Sequence, residues 1–267
     1  MADMPRHSIF FIAMTPPRPA AVEEASSWPR GANLKPGQPK RRRRIGLARL
    51  AVYLVIAALA LPVLPILAYR FVPPPITPLM VIRALEGAPL QQRFVPLARI
   101  SPALIRAVIA SEDEKFCRHH GFDWDEIAAS LQEWRRGHAM RGASTISQQT
   151  AKNLFLWPGR SFVRKGIEAY LTALIELLWS KPRIMELYLN VIEWGDGIYG
   201  AEMAARTHFD KAAAALTVHD AALLAAVLPN PRRWSPDAPT AYIAERAALI
   251  RERMPAMAVP NASGSCR

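Results

Sequence analysis

The chain has 267 residues, 51% of them hydrophobic, and a net charge of +12, so it can bury a sizeable core and its balance favours an anionic partner such as a phosphate or a lipid surface. Residues 1–44 hold nine Lys and Arg against three acids and the remainder is only moderately basic, which argues against a nucleic-acid-binding body. Two cysteines exclude a disulfide framework, no bridge between Cys117 and Cys266 is expected, and with His119 and His120 adjacent and no Cys-x-x-Cys there is no spacing for a structural metal.

In chain order, residues 1–44 read as a disordered basic leader ending in five cations, Lys40 to Arg44. Leu50 to Tyr69 then runs without a charge between Arg49 and Arg70, the length that spans a bilayer core, with Pro62 and Pro65 predicting a kink in its second half. The spacing predicts a signal-anchor helix over 45–72 whose preceding basic run keeps the leader cytoplasmic. A cleaved or twin-arginine signal is the competing reading, but the apolar run is too long for an h-region and the leader too extended. Phe71 to Pro78 (FVPPPITP) reads as a stiff spacer.

From residue 73 to 255 the pattern is a single, mostly α domain. Helical spacing recurs at 79–85, 102–112, 124–135, 145–155, 162–179, 182–193, 199–206, 218–228 and about 240–254, with Val95-Pro96-Leu97 the one small extended piece. Residues 256–267 read as a flexible tail.

Three stretches carry chemistry. In ASEDEKFCRHHGFDWD (110–125) the apolar helix ends on Glu112, a position suited to a general acid or base; the alternative is a solvated helix end with Glu112 and Asp113 paired to Lys115 and Arg118. In RGASTISQQTAKN (141–153), Ser144, Thr145, Gln148 and Gln149 suit a polyhydroxyl ligand, while Ser144 also suits a helix N-cap. Lys152, Arg160, Arg164 and Lys165 form a cation cluster suited to a diphosphate, with Glu168 one helical turn beyond Arg164 as a second carboxylate. Downstream, Ser180 and Pro182 start a helix, WGDGIYG (194–200) is a glycine-rich turn, and Glu186 is placed to hold that turn or its neighbours.

These blocks resemble the family 51 glycosyltransferases, and within them the monofunctional peptidoglycan type. Glu112, Asp113, Phe116, His119 and Gly121 match the first motif; Gly142, Ser144, Thr145, Ile146, Gln148 and Gln149 the second; Arg164, Lys165 and Glu168 the third; Lys181, Glu186, Tyr188, Leu189 and Asn190 the fourth. Ser147, Met185 and Thr207-His208 depart from the usual residues, and no Ser-x-x-Lys or Lys-Thr-Gly of a transpeptidase occurs.

The resemblance implies a lysozyme-like α fold on the outer face of a bacterial inner membrane. It implies that lipid II is joined to a lipid-linked glycan strand with inversion and release of undecaprenyl diphosphate. Glu112 would be the base and Glu168 the second catalytic carboxylate. Asp113, Ser144, Thr145, Gln148, Gln149, Lys152, Arg160, Arg164 and Lys165 would bind substrate. No cofactor is required, although there is room for a divalent cation (Mg or Mn), and cell-wall or division proteins are the expected protein partners. The apolar-basic run 154–165 fits an interfacial segment. A lytic enzyme and a catalytically silent anchor are the rival readings.

Overall fold

The computed structural model describes residues 46–267 except 139–141, 160, 262–265 and 267; the leader at 1–44 and Arg160 thus lie outside the described residues. The apolar run folds as α1 (Leu47–Ala60) and α2 (Val63–Tyr69). Together they make a 23-residue stretch of mean hydropathy 2.6, long and apolar enough to cross a membrane. The helix breaks at Leu61-Pro62, where the proline ring and its missing N–H interrupt the ladder.

The stiff spacer expected at 71–78 lies against the body, with Pro74 and Thr77 buried, and the apolar helix before it is tied down as well. Tyr170 donates to the Leu59 carbonyl (2.6 Å), Trp179 Nε1 to that of Ile66 (2.8 Å), and Arg183 to those of Tyr69 (2.8 Å) and Val72 (2.9 Å). Ile66 is buried, so the apolar helix is docked on the body through main-chain carbonyls on both sides of its kink.

The body follows as α3 (Pro78–Leu85), β1 (Gln91–Gln92), α4 (Pro102–Glu112), α5 (Trp124–Arg135), α6 (Ile146–Phe155), α7 (Phe162–Leu178), α8 (Lys181–Val191), β2 (Glu193–Gly195), β3 (Ile198–Tyr199), α9 (Ala201–Phe209), α10 (Val218–Val227) and α11 (Ala241–Arg253). Local signals set most of these starts. Ser101 caps α4 with Pro102 in its first turn, and a Thr217–Asp220 capping box opens α10.

Two groups of helices form the core. In one, alanine-rich α10 is buried from Asp220 to Val227 and packs against α4 and α11, its small side chains letting the neighbours approach closely. In the other, α6 packs against α3, α7 and α8. The C-terminus of α4 meets the N-terminus of α6 at the seam between them.

Several elements differ from the sequence reading. Pro96 is extended but joins no sheet and Leu97 opens a 3₁₀ turn; the paired strands are a three-stranded sheet in which β1 runs parallel to β3 (Gln91 opposite Ile198) and β2 antiparallel (Glu193 opposite Tyr199). Because 193–199 folds as a tight hairpin, α8 stops at Val191 and α9 starts at Ala201. At its turn, Gly197 has φ +70° and a Cβ there would sit 2.0 Å from the Pro89 carbonyl oxygen, so only glycine fits.

Glu193, not Glu186, holds this turn, accepting from the Gly197 N–H (3.2 Å) and from Arg232 in fork fashion (2.9 and 2.7 Å). Glu186 instead accepts from the Leu97 N–H (2.7 Å) and pairs with Arg183. Ser180 precedes α8 without a side-chain cap bond. The tail is tied back: Cys117 and Cys266 form a disulfide, and Pro260 pairs with Cys266. Their sequence separation of 149 residues hides a Cα–Cα distance of 5.9 Å that the folded tail creates.

Candidate active site

Glu112 is the last residue of α4 and Asp113 its C-cap, and the two have different surroundings. Asp113 is buried and accepts from the Ile146 N–H at the start of α6 (2.9 Å) and from His119 Nε2 (2.9 Å). The Gly121 N–H donates to His119 Nδ1 (3.1 Å), which places the imidazole proton on Nε2, facing Asp113. Thr145 donates to the Gly121 carbonyl (2.7 Å) and forms a reciprocal capping box with Gln148. Gly121 itself has φ +91°, and a Cβ there would press on Thr172 Cγ2 at 2.9 Å. These bonds stitch the 113–121 loop to α6.

Asp113, Thr145 and Gln148, expected as substrate ligands, are buried and bonded to the helix start and the loop, while Asp113 and Thr145 also line a cavity beside Glu112. Thr145, rather than Ser144, is the N-cap, and the Gln pair splits: Gln148 caps while Gln149 faces a cleft.

Glu112 is half-buried rather than sealed. Its Oε2 accepts from Gln149 Nε2 (3.0 Å), and Ser111 Oγ lies 3.1 Å from Oε1. Tyr188 donates its hydroxyl to Gln149 Oε1 (3.1 Å). Burial, and then the charges of Glu112 and Asp113, push the Tyr188 hydroxyl well above its ordinary pKa, so it stays a donor and fixes which end of Gln149 points at Glu112. Tyr188, recognised in the fourth motif but not expected at the site, is thus the residue that orients the amide.

The cations converge on Glu168. Arg164 donates to Glu168 (2.7 Å) and to the Gly159 carbonyl (2.9 Å), while Lys165 donates to Glu168 and to Ser144 Oγ (3.1 Å). Glu168 and Arg164 are 2% and 8% exposed; this is a buried pair, not a surface one. Both Glu168 oxygens are engaged, so in this arrangement it holds the two cations in place. Lys152 stands apart, with no side-chain hydrogen bond or ion pair among the described residues.

Two cavities flank these groups. A cleft of about 590 Å³ is lined by Gln149, Lys152, Asn153, Arg164 and Tyr188 from α6, α7 and α8 and by Asn230 and Arg232 from the loop after α10. A second cavity of about 390 Å³ carries Glu112 and Ser144. The Gln149–Glu112 bond joins the two. Trp157 is on the rim of the larger cleft, and the neighbouring Phe155 stacks on Tyr69 at the end of the apolar helix (6.0 Å between centroids). Leu154 and Leu156 are core, whereas Trp157, Phe162 and Val163 are exposed.

Among the described residues no group of three or more His, Cys, Asp or Glu could hold a metal ion.

Residues 80–255 match the family model described as Transglycosylase. The chain is 59% identical over 217 residues to a biosynthetic peptidoglycan transglycosylase of Rhodospirillum centenum, covering 81% of this chain and 91% of that protein. It is 54% identical over 209 residues to the protein so named in Caulobacter vibrioides (78% and 90% covered) and 51% identical over 220 residues to that of Stutzerimonas stutzeri (80% and 89% covered).

Proposed function

Since the chain belongs to the transglycosylase family and is a peptidoglycan glycosyltransferase, we propose that it extends glycan strands from lipid-linked precursors, with Glu112 as base and the α6–α7 cations holding the diphosphate. The observation that carries this reading is the Gln149 bridge, which links a half-buried carboxylate directly to a cation-lined cleft.

In this mechanism the 4-hydroxyl of the acceptor, lipid II, attacks C1 of the sugar at the reducing end of the growing strand. Glu112 takes the hydroxyl proton as the new C1–O bond forms. The bond from C1 to the α-linked diphosphate breaks, its electron pair leaves with the diphosphate, and a β-1,4 bond results. Lys152 and Lys165 neutralise the charge gathering on the leaving oxygens, with Arg164 braced by Glu168 beside them. Gln149 and Ser144 orient sugar and phosphate oxygens from the border of the two cavities.

No resident cofactor is needed, because the cation cluster supplies the charge that a divalent ion would bring.

The reading extends to placement. The basic run before the span puts the leader in the cytoplasm, and the Cys117–Cys266 bridge suits an oxidising outer side. The catalytic domain thus sits at the periplasmic face of the inner membrane. The docked helix, the Phe155–Tyr69 stack and the exposed Trp157 and Phe162 support a cleft mouth that opens at the bilayer, where prenyl-anchored substrates lie.

The test is incubation of the detergent-solubilised full chain with labelled lipid II, with and without chelator. Growth of glycan ladders under both conditions is expected. Shortening of preformed glycan without polymer would favour a lytic enzyme, and activity that needs added Mg or Mn would place a cation in the mechanism.

Lys152 makes a pH-dependent prediction. Burial, followed by the nearby Arg164 and Lys165, holds its pKa below the ordinary lysine value against the pull of Glu168 and Glu112. The charge is present at low pH and is lost as pH rises through that lowered value. Affinity for a short-chain prenyl diphosphate should therefore weaken before the usual lysine range is reached. Lys152→Arg should keep it flat across that window, since the guanidinium stays charged. Identical profiles for the two proteins would remove Lys152 from the diphosphate site.

A further inference from the structure

Most polar side chains lining the larger cleft are already engaged. Gln149 is used at both ends, Tyr188 donates to it, Asn153 Nδ2 donates to the Gln149 carbonyl (2.9 Å), Arg164 is held by Glu168, and Arg232 is forked onto Glu193. Lys152 is one polar group with no side-chain partner among the described residues. Asn230 is another, and it reaches the cleft from the loop after α10.

The setting of Asn230 is stiff. It stands between Pro229 and Pro231, whose rings restrict the backbone on both sides. Its N–H donates to the Val227 carbonyl (3.0 Å) at the end of α10, and its own carbonyl accepts from the N–H groups of Arg233 and Trp234 (both 3.1 Å). With the backbone satisfied and the loop closed on itself, the side-chain amide is the only group at this position left to bind anything. A carboxamide offers two donors and an acceptor on a flat fork, which matches an acetamido group, itself a flat donor–acceptor pair. An unpartnered amide lining a cleft on a backbone held in place has its donors and acceptor free for such a ligand.

Resting on the reading that this cleft takes a glycosyl diphosphate, we propose that Asn230 is a specificity-determining residue that recognises the N-acetyl group of the sugar attached to the diphosphate. Lys152 engages the phosphates from the α6 wall, and Asn230 reads the 2-acetamido substituent from the loop after α10. The cleft volume of about 590 Å³ is ample for a sugar and its phosphates. The amide bears on which donor is accepted, whereas Glu112 bears on the chemical step.

The test uses two synthetic short-chain prenyl diphosphate disaccharides as donors. One carries the native acetamido group on the diphosphate-linked sugar, and the other carries a free hydroxyl in its place. Each is presented to the full chain as wild type, Asn230→Ala and Asn230→Gln, with labelled lipid II as acceptor. Wild type should prefer the acetamido donor by about 10- to 100-fold in kcat/KM, the range of one or two well-made hydrogen bonds. Asn230→Ala should raise KM for the acetamido donor, leave KM for the hydroxyl donor nearly unchanged and so erase the preference. Asn230→Gln, with the same group on a longer arm, should restore part of it.

A uniform loss on both donors in Asn230→Ala, with the preference intact, would overturn the assignment and make Asn230 a structural residue of the loop. Wild type inactive on both donors would instead strike at the glycosyltransferase reading itself, so the two failures are distinguishable.

Discussion

Glu112→Gln should lower the rate of glycan polymerisation by about 10²- to 10⁴-fold, the usual contribution of a positioned general base. The substitution keeps shape and removes only the ability to take a proton. Its carbonyl can still accept from Gln149 Nε2, as the Oε2 of Glu112 does at 3.0 Å, and the side chain is half-buried, so the fold should hold within about 0.5 kcal/mol. The diphosphate ligands lie on α6 and α7, and affinity for a short-chain prenyl diphosphate should therefore stay within about threefold of wild type, well under 1 kcal/mol. Turnover above a tenth of the wild-type rate would reassign the base. Lost turnover together with lost affinity would point to a collapsed site and leave Glu112 without a chemical role.

Glu168→Ala should damage the protein more broadly. Arg164 is 8% exposed, so deleting its partner leaves a buried guanidinium without a counter-charge, at a cost of about 3–5 kcal/mol. For a domain of this size that corresponds to a fall of roughly 6–20 °C in the apparent unfolding midpoint. Lys165 also loses its anchor, so diphosphate affinity should drop along with stability.

The double variant Arg164→Met, Glu168→Leu separates the two effects. Replacing the whole pair by apolar groups should recover most of the stability while polymerisation remains lost, because Lys165 is no longer aimed. An inactive double variant with wild-type stability is the expected result. If Glu168→Ala unfolds at the wild-type midpoint, the pair is not the buried brace described above.

The helices were legible because their signals are local: Ser101-Pro102 before α4, the period of 102–112, and the apolar run broken by Pro62 are all written within a few residues of where they act. The strands were not. Each is two or three residues long, too short to show alternation, and the pairing of Gln91 with Ile198 depends on how the intervening helices pack. The Cys117–Cys266 bridge is hidden for the same reason.

At the site, the motifs located the right stretch but not the division of labour within it. Thr145-x-x-Gln148 is a local capping-box pattern, and Asp113 serves the next helix start, yet beside a sugar-binding resemblance both read as ligands. Which of two adjacent glutamines faces a cleft is decided by the roll of α6 against α7 and α8. Asn230 belongs to no motif, and only the folded chain brings it to the same cleft as Lys152.

The mechanism is a single displacement, with one carboxylate on the attacking side and cations on the leaving side. Its decisive measurement is the anomeric configuration of newly formed bonds, read by NMR on polymer made by the full chain from isotopically labelled lipid II. β linkages, formed from an α-linked diphosphate, are the predicted result. α linkages would show two displacements through a covalent glycosyl–enzyme, giving Glu112 or Glu168 the role of nucleophile and contradicting the mechanism derived from their placement.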